Sequence, residues 1–144
     1  MKLITKHTDY AVRAVLYLAG RQTEFISSRE IAGRNKIPLP FLRRILQVLI
    51  REGVIDSREG VEGGVLLSRK PEEIKISDLI RLFQGEIQLS ECMFRKKICR
   101  NRSTCVLRRR IQGMEKKLAS EFQKITIRTL LKDLKTDVRY DVKY

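Results

Sequence analysis

The 144-residue sequence contains no tryptophan, one histidine and three prolines, and its basic residues outnumber its acidic ones by 31 to 17. It has no apolar run approaching the roughly 18 to 20 residues that cross a bilayer. Its opening residues, MKLITKHTDY, lack the apolar stretch of a signal peptide. These absences predict a cytoplasmic protein without a membrane segment. The sequence also lacks a nucleophile elbow and a phosphate-binding glycine loop, so we do not expect an enzyme.

The surplus of positive charge indicates which kind of molecule the protein binds. The formal net charge is +14, which favours an anionic partner, with nucleic acid first and an anionic membrane surface second. Aromatic residues make up 6% of the chain, and no motif for stacking single-stranded bases is present, so double-stranded DNA is favoured over RNA. The alternative is a basic protein that has no polyanionic partner.

Two short helices separated by a tight turn are predicted in the first third of the chain. In FISSREIAGRNK, Ser27 and Glu30 form a capping box, so a helix is expected from Ser28 to about Lys36. In the next segment, IPLPFLRRILQVLIREG, Pro40 suits the first turn of a helix, and Gly53 ends it. This pair is typical of a helix-turn-helix.

The second of these helices has two opposite faces. Four apolar residues share one face at 100° per residue: Leu42, Ile45, Leu46 and Leu49. Five residues share the opposite face: Pro40, Arg43, Arg44, Gln47 and Arg51. An apolar back and an arginine front are typical of a DNA-recognition helix, because arginine reads guanine and glutamine reads adenine in the major groove. The alternative is a solvated basic face on an ordinary helix.

A hairpin directly after this helix is predicted from VIDSREGVEGGVLLSRKP, which reads as two short strands around the glycine-rich turn 60–64. A hairpin in this place is a wing, from which Arg58 and Arg69 are placed to reach phosphates or a narrow minor groove. The candidate DNA-binding residues are Ser28, Arg29, Pro40, Arg43, Arg44, Gln47 and Arg58.

Two further helices are predicted in the second half of the chain. KISDLIRLFQG indicates a short helix capped by Ser77. A longer one carries an apolar stripe with an average spacing of 3.6 residues: Leu107, Ile111, Met114, Leu118, Phe122 and Ile125. A stripe of this kind must be covered. We expect the same helix of a second copy to cover it across a two-fold axis, the alternative being that it folds back on its own domain.

We therefore predict a mainly α fold with a small β-wing, in which a winged helix-turn-helix domain precedes a long C-terminal dimerisation helix. The expected divisions are 1–72 for the winged helix-turn-helix domain, 73–89 for a connecting helix, 90–105 for a cysteine cluster-binding loop, 106–134 for the dimerisation helix and 135–144 for a tail.

All three cysteines lie in the most basic segment, ECMFRKKICRNRSTCVLRRR: Cys92, Cys99 and Cys105. Three cysteines cannot all pair within one chain, and there is no Cys-x-x-Cys of the kind common in zinc sites. Thiolates at this spacing suit an iron–sulfur cluster that takes one unusual ligand, and nearby cations stabilise thiolates. The alternatives are three unrelated cysteines and a metal-free thiol sensor.

The sequence resembles the Rrf-type bacterial winged-helix transcriptional regulators, the family of the IscR- and NsrR-like iron–sulfur regulators. The resemblance extends from Met1 to about Leu134. It is carried by TKHTDYAVRAVLYLA, by IAGRNKIPLPFLRRILQVLIREGVI, by the wing motif SREGVEGGVLLSR, and by three cysteines that precede a long helical segment ending in ITIRTLL. One departure is Val65, which stands where relatives often carry an aromatic residue.

This resemblance implies that Cys92, Cys99 and Cys105 bind an iron–sulfur cluster, with 4Fe–4S favoured over 2Fe–2S. Some relatives have a histidine three residues after the last cysteine, where this chain has Arg108, which cannot serve. Asp9 matches the aspartate that nitric-oxide-sensing relatives donate from the other subunit. His7 is a second candidate for this fourth ligand. The alternatives are a helix-dipole role for Asp9 and a surface position beside DNA for His7.

These features predict a homodimeric transcriptional regulator, a repressor that reads a palindromic operator. Its DNA affinity would be switched by a cluster that senses nitric oxide, redox or iron–sulfur status. The alternative is a cluster-free winged-helix regulator of cysteine or sulfur metabolism, controlled by a partner protein or by thiol oxidation.

Overall fold

The computed structural model describes residues 3–90 and 99–136, so the predictions for Cys92 and for most of the tail lie outside the described residues. Within those ranges the elements, in chain order, are α1 (Lys6–Ala19), α2 (Ser28–Asn35), α3 (Leu39–Arg51), β1 (Ile55–Arg58), β2 (Gly64–Leu67), α4 (Ile76–Gln84), α5 (Val106–Lys124) and α6 (Ile127–Thr136). None of the helices in these ranges has the length and apolar character needed to cross a membrane.

The predicted cap begins α2, and it also ties α2 to α1. The Ser27 hydroxyl accepts the Glu30 backbone N–H at 3.1 Å, which is one half of the predicted capping box. The Glu30 carboxylate accepts the Tyr17 hydroxyl from α1 at 2.8 Å. Burial, together with this hydrogen bond, raises the pKa of Tyr17. At the other end of α2, Lys36 takes a left-handed conformation with φ of 52° and turns the chain toward α3.

The two faces predicted for α3 are confirmed. Its apolar residues Leu42, Ile45, Leu46 and Leu49 are at most 4% exposed. The opposite face, which includes Arg43, Arg44, Gln47 and Arg51, is exposed. Since burial of one side chain contributes roughly 1.5 to 3 kcal/mol, the apolar face determines how α3 is oriented and leaves its arginine face in solvent.

The wing is a two-stranded antiparallel hairpin, in which Ile55 pairs with Leu67 and Arg58 pairs with Gly64. Its base is attached to the segment before α2, because Ile26 and Val65 exchange two backbone hydrogen bonds of 2.9 Å. These bonds set the position of the wing relative to the helix-turn-helix.

Arg69 has a role within the fold that its sequence position did not indicate. Its guanidinium donates a 2.8 Å hydrogen bond to the carbonyl of Glu52, the residue that follows α3. Such a bond satisfies a carbonyl that has no partner inside the helix. The structure therefore places Arg69 at the end of α3 rather than extended toward a phosphate.

The cap predicted for α4 is wrong. Lys75, not Ser77, occupies the N-cap position, and no side chain caps the helix. The Ile76 N–H donates instead to the carbonyl of Ile125 at 2.9 Å. Ile125 is distant in the sequence, and its carbonyl replaces the acceptor that a capping side chain would offer. The Ser77 hydroxyl is buried and has no hydrogen-bond partner within the described part of the chain.

The single helix predicted over 106–134 is two helices. Ile125 takes an extended conformation, with φ of −92° and ψ of 119°, and ends α5. Thr126 and Thr129 then cap α6 reciprocally, each hydroxyl accepting the other's backbone N–H at 3.2 and 3.3 Å. The 3.6-residue periodicity continues through this break, because apolar residues on both sides of it face the core. Ile127, the first residue of α6, is fully buried.

One core joins the helix-turn-helix to the later helices. α1 lies at its centre and packs against α3, α4 and α6. The core residues of α4, with Ile74 and Ile127, belong to the same cluster as those of α1 and α3. The predicted unit 1–72 therefore shares its apolar core with the segments that flank the cysteines.

Candidate nucleic-acid interface and cysteine centre

The exposed face of α3 carries the strongest candidate contacts with DNA. Arg43, Arg44 and Gln47 lie on it, and Pro40 is exposed in the first helical turn. No ion pair to either arginine is found within the described ranges. Both arginines are exposed to solvent.

The other candidate contacts lie on either side of this face. Arg29 is exposed and Ser28 half-buried at the start of α2. On the wing, the guanidinium of Arg58 lies over the ring of Phe25, 4.9 Å from its centroid. A cation–π contact of this kind holds the arginine stem while its donors stay available. The wing turn also exposes Val61 completely.

The structure reveals an aromatic pair that the sequence reasoning missed. Phe41, in the first turn of α3, is 40% exposed. Its ring lies against that of His7 from α1, with centroids 5.6 Å apart and planes inclined by 45°. The available signal was that Phe41 departs from the four-residue apolar face of α3. His7 is exposed, at the same end of the molecule as the start of α3.

The two described cysteines lie just before α5. Cys105 is its N-cap, and its Sγ accepts the Arg108 backbone N–H at 3.4 Å. The guanidinium of Arg108 donates to the carbonyl of Arg102 at 3.2 Å and closes the turn before the helix. Cys99 precedes that turn. Both thiols are free and partly exposed. The Cys105 sulfur thus lies at the N-terminus of α5, in contact with a backbone N–H of its first turn.

The predicted fourth ligand is not grouped with these thiols in one chain. Asp9 forms a 3.0 Å ion pair with Arg13 one turn along α1, and both side chains are nearly half-exposed. Across residues 3–90 and 99–136, no three His, Cys, Asp or Glu side chains converge as a metal site. Thiols are soft ligands, and these accessible thiols therefore have the ligand chemistry that an iron–sulfur cluster requires. The described ranges of a single chain do not bring together its full ligand set.

The apolar stripe on α5 divides into a covered and an uncovered part. Phe122 and Ile125 pack against the chain's own core. Toward the start of the helix, Leu107 is 65% and Met114 56% exposed. The alternative, that the stripe folds back on its own domain, thus holds for its C-terminal end, contrary to the expectation that a second copy covers the whole stripe. At its N-terminal end, next to Cys105, Leu107 and Met114 are exposed and Ile111 between them is half-buried.

Comparison with known proteins identifies the fold and the family. The sequence pattern of the Rrf2 family, described as an iron-dependent transcriptional regulator, matches residues 4–133. The HTH-type transcriptional regulator NsrR of Shouchella clausii is 28% identical over 134 residues, covering 91% of this chain and 87% of that protein. These matches extend over the helix-turn-helix, the wing and the cysteines.

Two solved structures show the same arrangement of helices and wing. T. potens IscR superposes with a TM-score of 0.74 at 26% identity, over 93% of this chain and 88% of that one. The oxidized form of Staphylococcus aureus CymR gives a TM-score of 0.72 at 25% identity, over 91% and 96% of the two chains. The predicted winged helix-turn-helix is confirmed, and the chain belongs to the Rrf2 family of transcriptional regulators.

Proposed function

We propose that this protein is a homodimeric DNA-binding repressor whose DNA affinity is switched by an iron–sulfur cluster sensing nitric oxide, redox or iron–sulfur status. The observation that carries the DNA-binding part is the arginine face of α3, opposite an apolar face that is at most 4% exposed. Membership of a transcriptional regulator family supports it. The cluster part rests on the cysteines and on the similarity to NsrR and IscR.

Each candidate residue has a defined part in DNA recognition. Arg43, Arg44 and Gln47 meet base edges in the major groove, where arginine pairs with guanine and glutamine with adenine. Two further sets of residues fix the position of the protein along the duplex. They are Ser28, Arg29 and Pro40 at the helix starts, and Arg58 on the wing. Backbone N–H groups at a helix N-terminus attract phosphate, while an arginine on a wing suits a narrow minor groove. Two copies related by a two-fold axis read a palindromic operator.

Specific binding should depend steeply on salt. We expect the affinity for a selected duplex to fall with a log–log slope of about −5 to −9, as for a protein that contacts roughly 6 to 10 phosphates. Arg43→Ala should cost about 1 to 3 kcal/mol on that duplex and relax the preference for one base pair, because a bidentate base contact is lost. Fluorescence anisotropy over a salt series measures both quantities.

Arg51→Ala is the matched control for this prediction. Arg51 is exposed on the same helix, two turns nearer its C-terminal end. Its loss removes the same charge and should weaken all duplexes alike. If Arg43→Ala also weakens every duplex uniformly and reduces the salt slope by about one unit, Arg43 binds phosphate and does not read bases.

The exposed part of the α5 stripe is the proposed dimer interface. Leu107 and Met114 are exposed on one face of the helix, and a two-fold axis would cover them by bringing each stripe against its own copy. Met114→Lys should therefore shift the protein toward monomer in analytical ultracentrifugation, because it places a charge in an apolar interface. Ser120→Lys adds the same charge on an exposed residue of the opposite face of α5 and should leave the dimer intact. A monomeric Ser120→Lys, or a dimeric Met114→Lys, would contradict this interface.

The proposed ligand set is Cys92, Cys99 and Cys105 from one chain and Asp9 from the other, with 4Fe–4S favoured over 2Fe–2S. When bound, the cluster supplies a centre that reacts with nitric oxide and oxidants. Cys105 places one ligand at the first turn of the dimer helix. Asp9 has to leave its ion pair with Arg13 to serve as a ligand. Its hard oxygen makes it the weakest of the four donors to iron.

Hydrogen bonds within one chain connect this centre to the DNA-binding helices. The Leu89 N–H donates to the Glu115 carboxylate at 2.7 Å, which attaches the segment before Cys92 to α5. At the end of α4, the side-chain oxygen Oε1 of Gln84 accepts from the Thr5 N–H and the Thr8 hydroxyl at 2.9 and 2.8 Å. These bonds join α4 to the start of α1. These contacts can therefore transmit a structural change at the cysteines to α1, which packs against α3.

A second candidate is the cluster-free regulator of cysteine or sulfur metabolism, controlled by a partner protein or by thiol oxidation. The similarity to CymR solved in an oxidized form supports it. Protein purified without air distinguishes the two. A brown solution containing iron and sulfide supports the cluster, whereas a colourless and metal-free dimer that responds to peroxide supports thiol control.

A further inference from the structure

Phe41 lies at the edge of the recognition surface and has no place in the core. It is 40% exposed, whereas the next residue on α3, Leu42, is fully buried. Its side chain projects about a quarter-turn around the helix from the apolar face. Arg44 lies on the same side of the helix, about one turn later. Since Phe41 lies outside the core cluster, its ring is available for a contact at this surface.

The surroundings of Phe41 hold its ring in place at this edge. The imidazole of His7 lies against it, with a centroid distance of 5.6 Å. His7 belongs to the first turn of α1, and Thr5 caps that helix by accepting the Thr8 N–H. A tilted aromatic pair of this geometry is stabilising by itself. The ring is therefore presented outward in one position, beside two helix N-termini.

We infer that Phe41 is a base-reading residue that packs on the C5-methyl group of a thymine in the major groove, with His7 as its positioning residue. The inference rests on the proposed DNA-binding function and extends it. The first turn of a recognition helix meets base edges. The thymine methyl is the apolar group that the major groove presents, and phenylalanine is among the side chains that contact it. The positive charge of Arg43 and Arg44 on the same helix brings the duplex to this edge.

Removing the methyl group from the DNA tests this contact without changing the protein. A duplex selected from random sequences by the wild-type protein is resynthesised with each thymine replaced in turn by uracil, which lacks only the methyl. We expect one thymine in each half-site to respond. Its replacement by uracil should lower the affinity of the wild-type protein about fourfold, which corresponds to the free energy of burying one methyl group. Phe41→Ala should bind the thymine duplex about fourfold more weakly or worse, and should show no further loss with uracil at that position.

Two sets of variants complete the test. Ile50→Ala removes another exposed apolar residue, 36% exposed, near the other end of α3, and should keep the full response to uracil. His7→Ala should reduce that response, because the ring of Phe41 loses its support, and His7→Phe should restore it. The visible spectrum of anaerobically purified protein should be the same in both His7 variants, which separates positioning of Phe41 from a ligand role for His7.

The outcomes separate this inference from the proposed function. If wild-type protein shows no sequence preference for any duplex, the proposed function fails. If it binds specifically, but uracil costs the same in wild-type and Phe41→Ala at every position, Phe41 reads no thymine and only this inference fails. The inference is equally overturned if Phe41→Ala disrupts the dimer or removes the visible absorbance, since Phe41 then contacts the partner copy or the cysteine segment.

Discussion

Gly64→Ala is expected to unfold the wing and to abolish specific DNA binding. Gly64 has φ of 154°, a conformation that side-chain-bearing residues rarely adopt, and a Cβ added there would lie 2.3 Å from the carbonyl oxygen of Ile26. The clash is with backbone, which cannot rotate away. Ile26 also forms the two hydrogen bonds with Val65 that attach the wing to the helix-turn-helix, so relief of the clash requires these bonds to break.

The cost combines backbone strain, a steric clash and two lost hydrogen bonds. Together these amount to about 3 kcal/mol or more, and should lower Tm by roughly 10 °C. Circular dichroism melts and operator titrations measure the two effects. Gly60→Ala is the matched control, because Gly60 also has a positive φ, 104°, but has nothing within 4 Å of the added Cβ. If both variants are equally stable, the approach of Gly64 to Ile26 does not determine the position of the wing.

Cys99→Ala is expected to remove the iron–sulfur cluster while leaving the fold intact. Cys99 lies before the turn that leads into α5, outside every helix and strand, and its thiol is only partly buried. Its loss therefore creates no cavity in the core. A three-thiol ligand set does not tolerate the loss of one thiolate, so iron and sulfide should fall to near zero in protein purified without air. The visible absorbance should disappear, and the far-ultraviolet circular dichroism should not change.

Two other variants make this result specific. Ser103→Ala changes an exposed residue of the same turn and should keep the full colour. Asp9→Ala should give a cluster that forms but is lost more readily on exposure to air, because three thiolates remain. Arg13→Ala frees Asp9 from its 3.0 Å ion pair and should have the opposite effect. A colourless wild-type protein, or a brown Cys99→Ala, would favour the cluster-free regulator over the proposal.

Local sequence signals predicted the elements that depend on neighbouring residues. The Ser27 cap and the four-residue apolar face of α3 depend on interactions within one or two helical turns, and both are present. The glycine-rich turn at 60–64 likewise placed the wing, because positive φ values are a local requirement. The cysteine spacing suggested a cluster, but the fold of a single chain does not test it, since Cys92 lies outside the described residues.

The sequence by itself determined the winged helix-turn-helix, its arginine face and its basic charge, because periodicity, caps and composition are properties of residues close together in the chain. Only the tertiary structure decided that Ile125 ends α5, that Ser77 caps nothing and that His7 supports Phe41. The first two depend on a backbone bridge between residues about 50 positions apart, and the last on the approach of α1 to α3. Long-range partners of this kind are chosen by the packing of the whole core and leave no periodic signal in the sequence.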